Sequence, residues 1–267
     1  MMHKSFSFWL LSAFFALFLL FLYGPMIAIF VLSFQGPTGG MTFPMRGASV
    51  HWFGDLVAST RYGDLAGAFG RSLILGLFAM LVTVTVSFFA GLGFRRRFRG
   101  AGALFYLAIA ALVMPGVLTG LGIATLFQTL GLSTNWLTSG LGAHLTWTLP
   151  FGLLIMFAVM NRFDRRWEDA ARDGGATPVQ VLRLITLPIL APGLIAVALF
   201  GLTLSYDELP RSLLTVGTRN TLPIQIANLT ANVTTPALYA IGTLTTLLSL
   251  GLIVAAFVAI LISGRRK

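Results

Sequence analysis

Six long runs of apolar residues, all free of Asp, Glu, Lys and Arg, constrain the fold of this chain more than any other feature. The runs cover residues 8–34, 72–94, 101–130, 141–160, 184–206 and 236–262. A helix needs about 20 apolar residues to cross the hydrocarbon core of a bilayer, and each run is long enough. Only 10% of the 267 residues are charged, whereas soluble domains usually have about 25%. The sequence therefore predicts an all-α, polytopic membrane protein: one transmembrane domain, residues 1–267, with six transmembrane helices.

The basic residues are unevenly distributed over the segments that connect these runs. With six spans, both termini lie on one side of the membrane. That side carries most of the 18 basic residues: Lys4, Arg95, Arg96, Arg97, Arg99, Arg162, Arg165, Arg166, Arg172, Arg183, Arg265, Arg266 and Lys267. The other side carries Arg46, Arg61, Arg71, Arg211 and Arg219. Because positive loops stay in the cytoplasm, we expect cytoplasmic termini and a cytoplasmic loop over residues 161–187. The net charge of +10 then reflects membrane topology, and no nucleic-acid partner is expected.

Residues that could carry chemistry are sparse. The chain has no cysteine, and His3, His51 and His144 are far apart, so no disulfide, thiol or metal site is expected. Neither Lys4 nor Lys267 lies in a glycine-rich phosphate-binding loop. The predicted spans contain no carboxylate, which argues against a proton-coupled carrier. We therefore expect a transport protein rather than an enzyme, with no cofactor bound by this chain.

The first run and the segment after it set the expected outer surface. Lys4 followed by an apolar run fits the start of a secretory signal. The run is too long for one, however, and no small-residue cleavage site follows it, so we expect a retained helix. Residues 35–71 would form an outside loop, with "HWFGDL" (residues 51–56) as an interfacial helix. The tryptophans expected as interfacial anchors are Trp52, Trp136 and Trp147.

Prolines and glycines inside the runs predict local departures from straight helices. Pro115, Pro150 and Pro192 are expected to kink their helices. The pair Gly116 and Gly120 has the spacing that lets two helices approach closely. With 29 glycines in the chain, such a pair also arises by chance.

One polar segment, EDAARDGGATPVQVLRLITLP (residues 168–188), lies between two membrane-length runs. The residues "DAARD" favour a short helix. Gly174 and Gly175 would end it, because glycine readily adopts the left-handed conformation of a helix C-cap. Ala170 and Ala171 leave a small, smooth patch that could enter a groove of a partner protein. The alternative is an interfacial or re-entrant loop that only joins two spans.

A second short helix is predicted after the glycines. Thr177 would be its N-cap, Pro178 its first helical residue and Gln180 the partner in a capping box. The apolar residues expected on one face of this helix are Val181, Leu184 and Ile185. Residues 164–188 are therefore predicted to form two short helices with a break between them.

The same segment resembles the cytoplasmic "EAA" loop of ABC-type importer permeases, whose pattern is E-A-A-x3-G-x9-I-x-L-P. The matching positions, with both spacings intact, are Asp169, Ala170, Ala171, Gly175, Ile185, Leu187 and Pro188. Asp169 stands where the family prefers Glu, and Gly174 where relatives often have Leu. Residues 113–127, 144–164 and 204–226 extend the resemblance over nearly the whole chain, the last of them to the spermidine/putrescine branch.

The resemblance implies a MetI-like permease fold and a division of labour between subunits. In this family two permease chains form the pore, and the second is expected to be a different, homologous chain. A pair of ATP-binding-cassette ATPases docks below and binds ATP and Mg²⁺, while a soluble binding protein delivers substrate from outside. The loop is the coupling helix, seated in a groove of the ATPase. The location implied is a bacterial inner membrane.

The candidates for the substrate path are Tyr206, Asp207 and Glu208, at the outer end of the fifth run. Two carboxylates beside an aromatic ring would attract a cation by charge and by cation–π contact; a solvated loop start is the alternative. The branch implies a polyamine or related cationic nitrogen compound as cargo. An opine, an aminophosphonate, a ferric complex or another small anion stays open, as does a homo-oligomeric channel or secondary carrier.

Overall fold

A computed structural model describes residues 6–58, 60–96, 98–232 and 234–265 of the chain. These residues form helices and turns without a named strand, and one isolated antiparallel bridge joins Gln35 to Ala48. The helices are α1 Phe6–Leu32, α2 His51–Ala58, α3 Leu65–Phe94, α4 Ala101–Val113, α5 Gly116–Thr129, α6 Ser139–Met160, α7 Arg166–Asp173, α8 Pro178–Val181, α9 Leu187–Tyr206, α10 Ser212–Thr215, α11 Leu222–Asn232 and α12 Ala237–Arg265. A 3₁₀ turn covers Thr60–Tyr62, and a π-helical turn covers Leu182–Thr186. The predicted all-α fold class is confirmed.

Five predicted spans appear as helices long and apolar enough to cross a membrane, and one is broken. The five are α1, α3, α6, Pro178–Tyr206 and Ala237–Ala255. The predicted run 101–130 instead forms α4 and α5, with a bend of 108° between them. The break lies at Pro115, because proline has no N–H and disfavours helical backbone at the residue before it. That residue, Met114, has a ψ of 129°. Among the described residues, the predicted number of six spans is reached if this bent pair counts as one.

Two compact units divide the chain. The first is formed by residues 1–63 and 226–248, and the second by residues 64–225 and 249–267. In the first unit, α1 buries only Leu32 among its 27 residues, so nearly all of its surface is available to lipid or to another chain. The single domain over residues 1–267 stays a prediction.

The loop between α1 and α2 is ordered around the buried side chain of Gln35. Its amide nitrogen donates to the carbonyl of Gly40 at 2.9 Å, and its amide oxygen accepts the N–H of Arg46 at 2.7 Å. Tyr239 of α12 donates its hydroxyl to a carbonyl of the same loop. The predicted short helix is found as α2, but Trp52 is buried within the unit rather than exposed at an interface, because α2 turns its apolar face inward.

The core of the second unit is built from α3, α6 and α9. Small buried residues repeat every three or four positions along one face of α3: Ser72, Gly76, Ala79, Thr83, Ser87 and Gly91. Thr83 donates to Thr148 of α6 at 2.9 Å, and Gly152 of α6 lies against the same face. Small residues let helix backbones approach closely where lipid removes the hydrophobic drive to associate. Core packing therefore depends on small side chains, or none, at these positions.

The glycine pair on α5 also forms a close contact. A Cβ atom on Gly116 would lie 3.1 Å from Pro210 Cβ, and one on Gly120 would lie 2.8 Å from the carbonyl oxygen of Arg211. The turn that leads into α10 thus rests directly on the glycine face of α5. The glycine pair thus makes a close contact, but its partner is this turn and not a second long helix.

Candidate functional site

The polar segment between α6 and α9 folds as its residues predict. α7 ends at Asp173, and Gly175 follows with φ +84°, a conformation that favours glycine. Thr177 then caps α8: its side chain accepts the N–H of Gln180, and Gln180 accepts the N–H of Thr177 at 2.7 Å. The two predicted short helices and the capping box are confirmed.

A π-helical turn, which the sequence pattern did not predict, connects α8 to α9. Pro188 cannot accommodate the carbonyl four residues before it in a regular helix, and the N–H of Leu187 instead bonds to the carbonyl of Leu182. The wider turn changes the helix face, so that Val181 is buried while the side chain of Leu184 is 69% exposed. Val181, Leu184 and Ile185, which were expected on one face of the second helix, therefore differ in burial: Val181 is buried, Ile185 is half-buried and Leu184 is exposed.

The residues of the EAA-like pattern lie on one continuous piece of chain. Asp169 and Ala170 are exposed on α7, Ala171 is half-buried, and Gly175 forms the turn. Ile185 is half-buried in the π turn, and Leu187 and Pro188 open α9. Trp167 is 62% exposed beside them. α7 therefore presents a small, mixed polar and apolar surface.

Glu168, one residue before the pattern, is the best-connected side chain of the segment. It is only 8% exposed. Its carboxylate accepts two hydrogen bonds from the guanidinium of Arg95, at 2.8 and 3.0 Å, and one from Thr186 at 2.7 Å. Arg172 approaches it at 3.8 Å. Sequence reasoning missed this site, since no motif or periodicity relates Arg95 to a residue 73 positions away.

A cleft of about 460 Å³ opens between α7, the end of α3 and the π turn. Its lining residues are Leu92, Arg95, Arg96, Arg165, Glu168, Asp169, Arg172, Pro178, Val181, Leu182 and Thr186. Four arginines face two carboxylates there, so the rim has a positive excess. Such a rim suits acidic side chains of a partner protein.

Acid is expected to weaken the contacts of Glu168. Burial by itself raises the pKa of this carboxyl, but hydrogen bonds from Arg95 and Thr186 outweigh burial and lower the pKa below its usual 4.5. A lowered pKa means that the stabilisation is complete above the unfolded-state value and is lost as the pH falls through the folded-state value. Between about pH 5 and pH 3, the melting temperature should therefore fall more steeply for the wild type than for Glu168→Gln. Parallel curves for the two proteins would contradict this expectation.

The predicted substrate-path residues are placed differently from one another. Asp207 is exposed, whereas Tyr206 is buried and Glu208 is only 2% exposed. Glu208 is paired with Arg211 at 3.3 Å and accepts the Arg211 N–H at 2.8 Å. The two carboxylates are thus not equivalent, because Arg211 compensates the charge of Glu208.

Two further residues, Trp147 and His144, lie near the Glu208–Arg211 pair, and the sequence did not predict their contacts. The Arg211 guanidinium lies 4.7 Å from the ring centroid of Trp147, so that this tryptophan contacts a cation instead of only anchoring an interface. His144 is buried, with its ring nitrogens 2.7 Å from Ser205 and 2.8 Å from Ser212. His144 therefore joins α6 to the end of α9 and to α10. Among the described residues, no group of three His, Asp or Glu side chains could hold a metal ion.

Comparison with known families decides between the two classes of transport protein that the sequence left open, an importer permease and a homo-oligomeric channel or carrier. Residues 83–267, which include α7, the π turn and α9, match the family described as "Binding-protein-dependent transport system inner membrane component". This chain belongs to that family. It is accordingly an ABC importer permease, a multi-pass membrane subunit that serves transport and not catalysis.

Two curated relatives are similar over most of their length. The putrescine transport system permease protein PotI of Escherichia coli K12 is 32% identical over 233 residues, which cover 84% of this chain and 81% of PotI. The spermidine/putrescine transport system permease protein PotC of Haemophilus influenzae is 30% identical over 249 residues, 92% of this chain and 95% of PotC.

Solved structures share the fold at lower sequence identity. A bacterial ABC transporter involved in the import of the acidic polysaccharide alginate has a TM-score of 0.63 at 16% identity and covers 98% of this chain and 96% of its own. A second alginate transporter structure, in complex with a pentasaccharide-bound periplasmic protein, has a TM-score of 0.61 at 17% identity and covers 96% and 92%. These likenesses establish the permease fold.

Proposed function

We propose that this permease imports a polyamine and that residues 161–187, the coupling loop, are the surface by which a separate ATPase moves it. The observation that carries the proposal is the exposed helix α7, which is followed by the turn at Gly175, by α8 and by one π turn that leads into α9. A partner that binds α7 is therefore connected to the core helix α9 through a short continuous segment of the chain. A loop that only joined two spans would not need the two capped helices.

ATP would act through the coupling loop without binding to this chain. ATP and Mg²⁺ are held by the ATPase pair, whose closure pushes α7 of each permease chain toward its counterpart. The smooth surface at Ala170 and Ala171 allows α7 to enter a groove, while Asp169 and the arginines of the cleft supply charge to the contact. The permease pair then turns from inward-facing to outward-facing and accepts substrate.

The cargo follows from the relatives and from the end of α9. PotI and PotC carry putrescine and spermidine/putrescine in their names. In this chain Asp207 is the exposed carboxylate at that end, and it attracts a cation by charge. Glu208 is held by Arg211 and would position the turn, and Tyr206 would support it from the buried side.

The remaining partners are a second permease chain and a soluble binding protein. The second permease is proposed to be a homologous but different chain. The binding protein would deliver substrate to the outer surface; one neighbouring structure contains a periplasmic protein in that role. The excess of Lys and Arg on one set of connecting segments supports cytoplasmic termini in a bacterial inner membrane.

Substitutions in the coupling loop are expected to abolish transport. Proline fixes φ near about −65°, so Gly175→Pro cannot reproduce the +84° of the turn, and Ala171→Arg places a long cation on the contact face. Both variants should lose the ATPase from a mild-detergent pull-down of the tagged chain and lose putrescine uptake at least about tenfold. The control is Val57→Arg on α2, a site that is 88% exposed, which should keep the ATPase.

The same pull-down tests the function and the cargo. Recovery of an ATPase and a second permease supports the importer, and a co-recovered binding protein can be titrated with putrescine and with spermidine by thermal shift. Stabilisation by an anionic solute in place of polyamines would overturn the cargo. Recovery of the wild-type chain alone, as an oligomer that conducts solute without ATP, would overturn the importer.

A further inference from the structure

Glu168 connects three parts of the second unit: α7, the end of α3 and the π turn before α9. The proposed function of the coupling loop does not yet use this connection. Glu168 lies on α7, yet its carboxylate is turned away from the exposed face and is buried. One partner, Arg95, is the residue that directly follows α3. The other, Thr186, ends the π turn before α9 and is 1% exposed.

The contact at the end of α3 is held from several directions. Arg95 gives both of its terminal nitrogens to Glu168, and its guanidinium lies 4.8 Å from the ring centroid of Phe163. Arg165, the residue before α7, donates to the backbone carbonyl of Arg95. A bidentate pair with these supports fixes orientation as well as distance.

The helices joined at Glu168 pack against each other along their length. A Cβ on Gly76 of α3 would be 3.0 Å from Leu202 of α9, and a Cβ on Gly201 of α9 would be 3.1 Å from Met80 Cα of α3. Close backbone contact of this kind does not deform gradually, since packed interiors are dense. A displacement applied to the ends of α3 and α9 therefore moves the pair together.

We infer that Glu168 is the positioning residue that transmits movement of α7 to α3 and α9, so that ATP hydrolysis is coupled to the opening of the permease. This inference rests on the proposed function of α7. The exposed residues of α7 hold the partner, and Glu168 holds α7 to the transmembrane core. Without Glu168, α7 would keep only its chain connections and the contact from Arg165 to the end of α3, and its movement would no longer be passed on through a fixed bidentate pair.

Stability alone is a weak reason for this arrangement. A buried ion pair can often be replaced by apolar residues with little loss of stability, and α7 would need only an apolar residue to stay folded against the core. The three donors around one carboxylate instead fix the position of α7 in a single geometry. A link that carries force requires this fixed geometry.

The test uses the complete transporter in proteoliposomes loaded with ATP, with putrescine uptake and ATP hydrolysis measured on the same vesicles. Glu168→Gln keeps the side-chain volume but places an amide against Arg95. We expect its ATPase to co-purify as with the wild type and to hydrolyse ATP within about twofold of it, while uptake per ATP falls about tenfold. Glu168→Leu should give the same result by removing all three hydrogen bonds.

Rescue and control variants separate transmission from folding. In Glu168→Gln combined with Arg95→Gln, two amides can bond each other without charge, and we expect uptake per ATP to recover by at least about threefold over Glu168→Gln. The control is Asp64→Asn, which disrupts the ion pair between the exposed Asp64 carboxylate and Arg71 at the other end of α3 and should leave uptake per ATP unchanged.

The outcomes distinguish this inference from the proposed function. Wild-type uptake per ATP in Glu168→Gln and Glu168→Leu would overturn the inference and leave the coupling loop standing. Loss of the ATPase from both variants would also overturn it, since Glu168 would then serve docking. A wild-type chain that recovers no ATPase at all would overturn both proposals.

Discussion

Gly152→Leu is expected to eliminate folded protein from the membrane fraction, whereas Gly142→Leu on the same helix should not. A Cβ on Gly152 would overlap Ser87 Oγ and would lie 2.7 Å from Thr83 Cγ2 and 3.2 Å from Val197 Cγ1. These short side chains belong to α3 and α9 and have little freedom to move. Three more carbons of leucine would force the three core helices apart.

The expected cost is about 3 kcal/mol or more, the upper range for overpacking of a dense core. Gly142 lies one turn into α6, is exposed, and has no heavy atom within 4 Å of the Cβ position. The check is fluorescence-detected size-exclusion chromatography of tagged protein after heating. Equal peak height and melting temperature for the two variants would show that α3, α6 and α9 do not pack as described.

Arg211→Met is expected to be the most destabilising change near the C-terminal end of α9. The Glu208 carboxylate is 2% exposed and would lose its buried counterion. Removal of one partner from a buried ion pair typically costs about 3–5 kcal/mol, because the other charge stays uncompensated. Gly116 adds to this cost, since Arg211 packs closely against it.

A second substitution should recover most of the loss. Glu208→Gln combined with Arg211→Met removes the uncompensated charge and keeps an amide oxygen to accept the residue 211 N–H. Asp207→Asn, one residue away but exposed, should leave the melting temperature unchanged and serves as the stability control. If the double variant melts no higher than Arg211→Met, packing rather than charge determines the stability of this turn.

Local chemistry explains which parts of the structure could be predicted from the sequence. The capping box at Thr177 and the turn at Gly175 depend on residues within a few positions of each other, and the pattern therefore predicted them correctly. The number and length of the apolar runs likewise depend on composition over about 20 residues. The role of the EAA-like pattern as a coupling loop stays a prediction.

Contacts between distant residues explain what could not be predicted. Arg95 and Glu168 are 73 residues apart, and Arg211 meets Gly120 only because α10 lies on α5. Nothing in either local sequence specifies the partner. The break at Pro115 was underestimated as a kink, because the proline removes an N–H while Gly116 lowers the cost of leaving the helix.

The corner between α4 and α5 limits what can surround this part of the chain. A helix end leaves backbone N–H and C=O groups without intrahelical partners, and no side chain caps the N-terminus of α5 at Pro115. Hydrocarbon cannot satisfy such groups, and irregular backbone occurs within a bilayer only where protein or water covers it. Met114 and Pro115 are exposed in this chain. The corner therefore belongs to the wet or protein-covered perimeter of the assembled transporter and is excluded from its lipid-facing side.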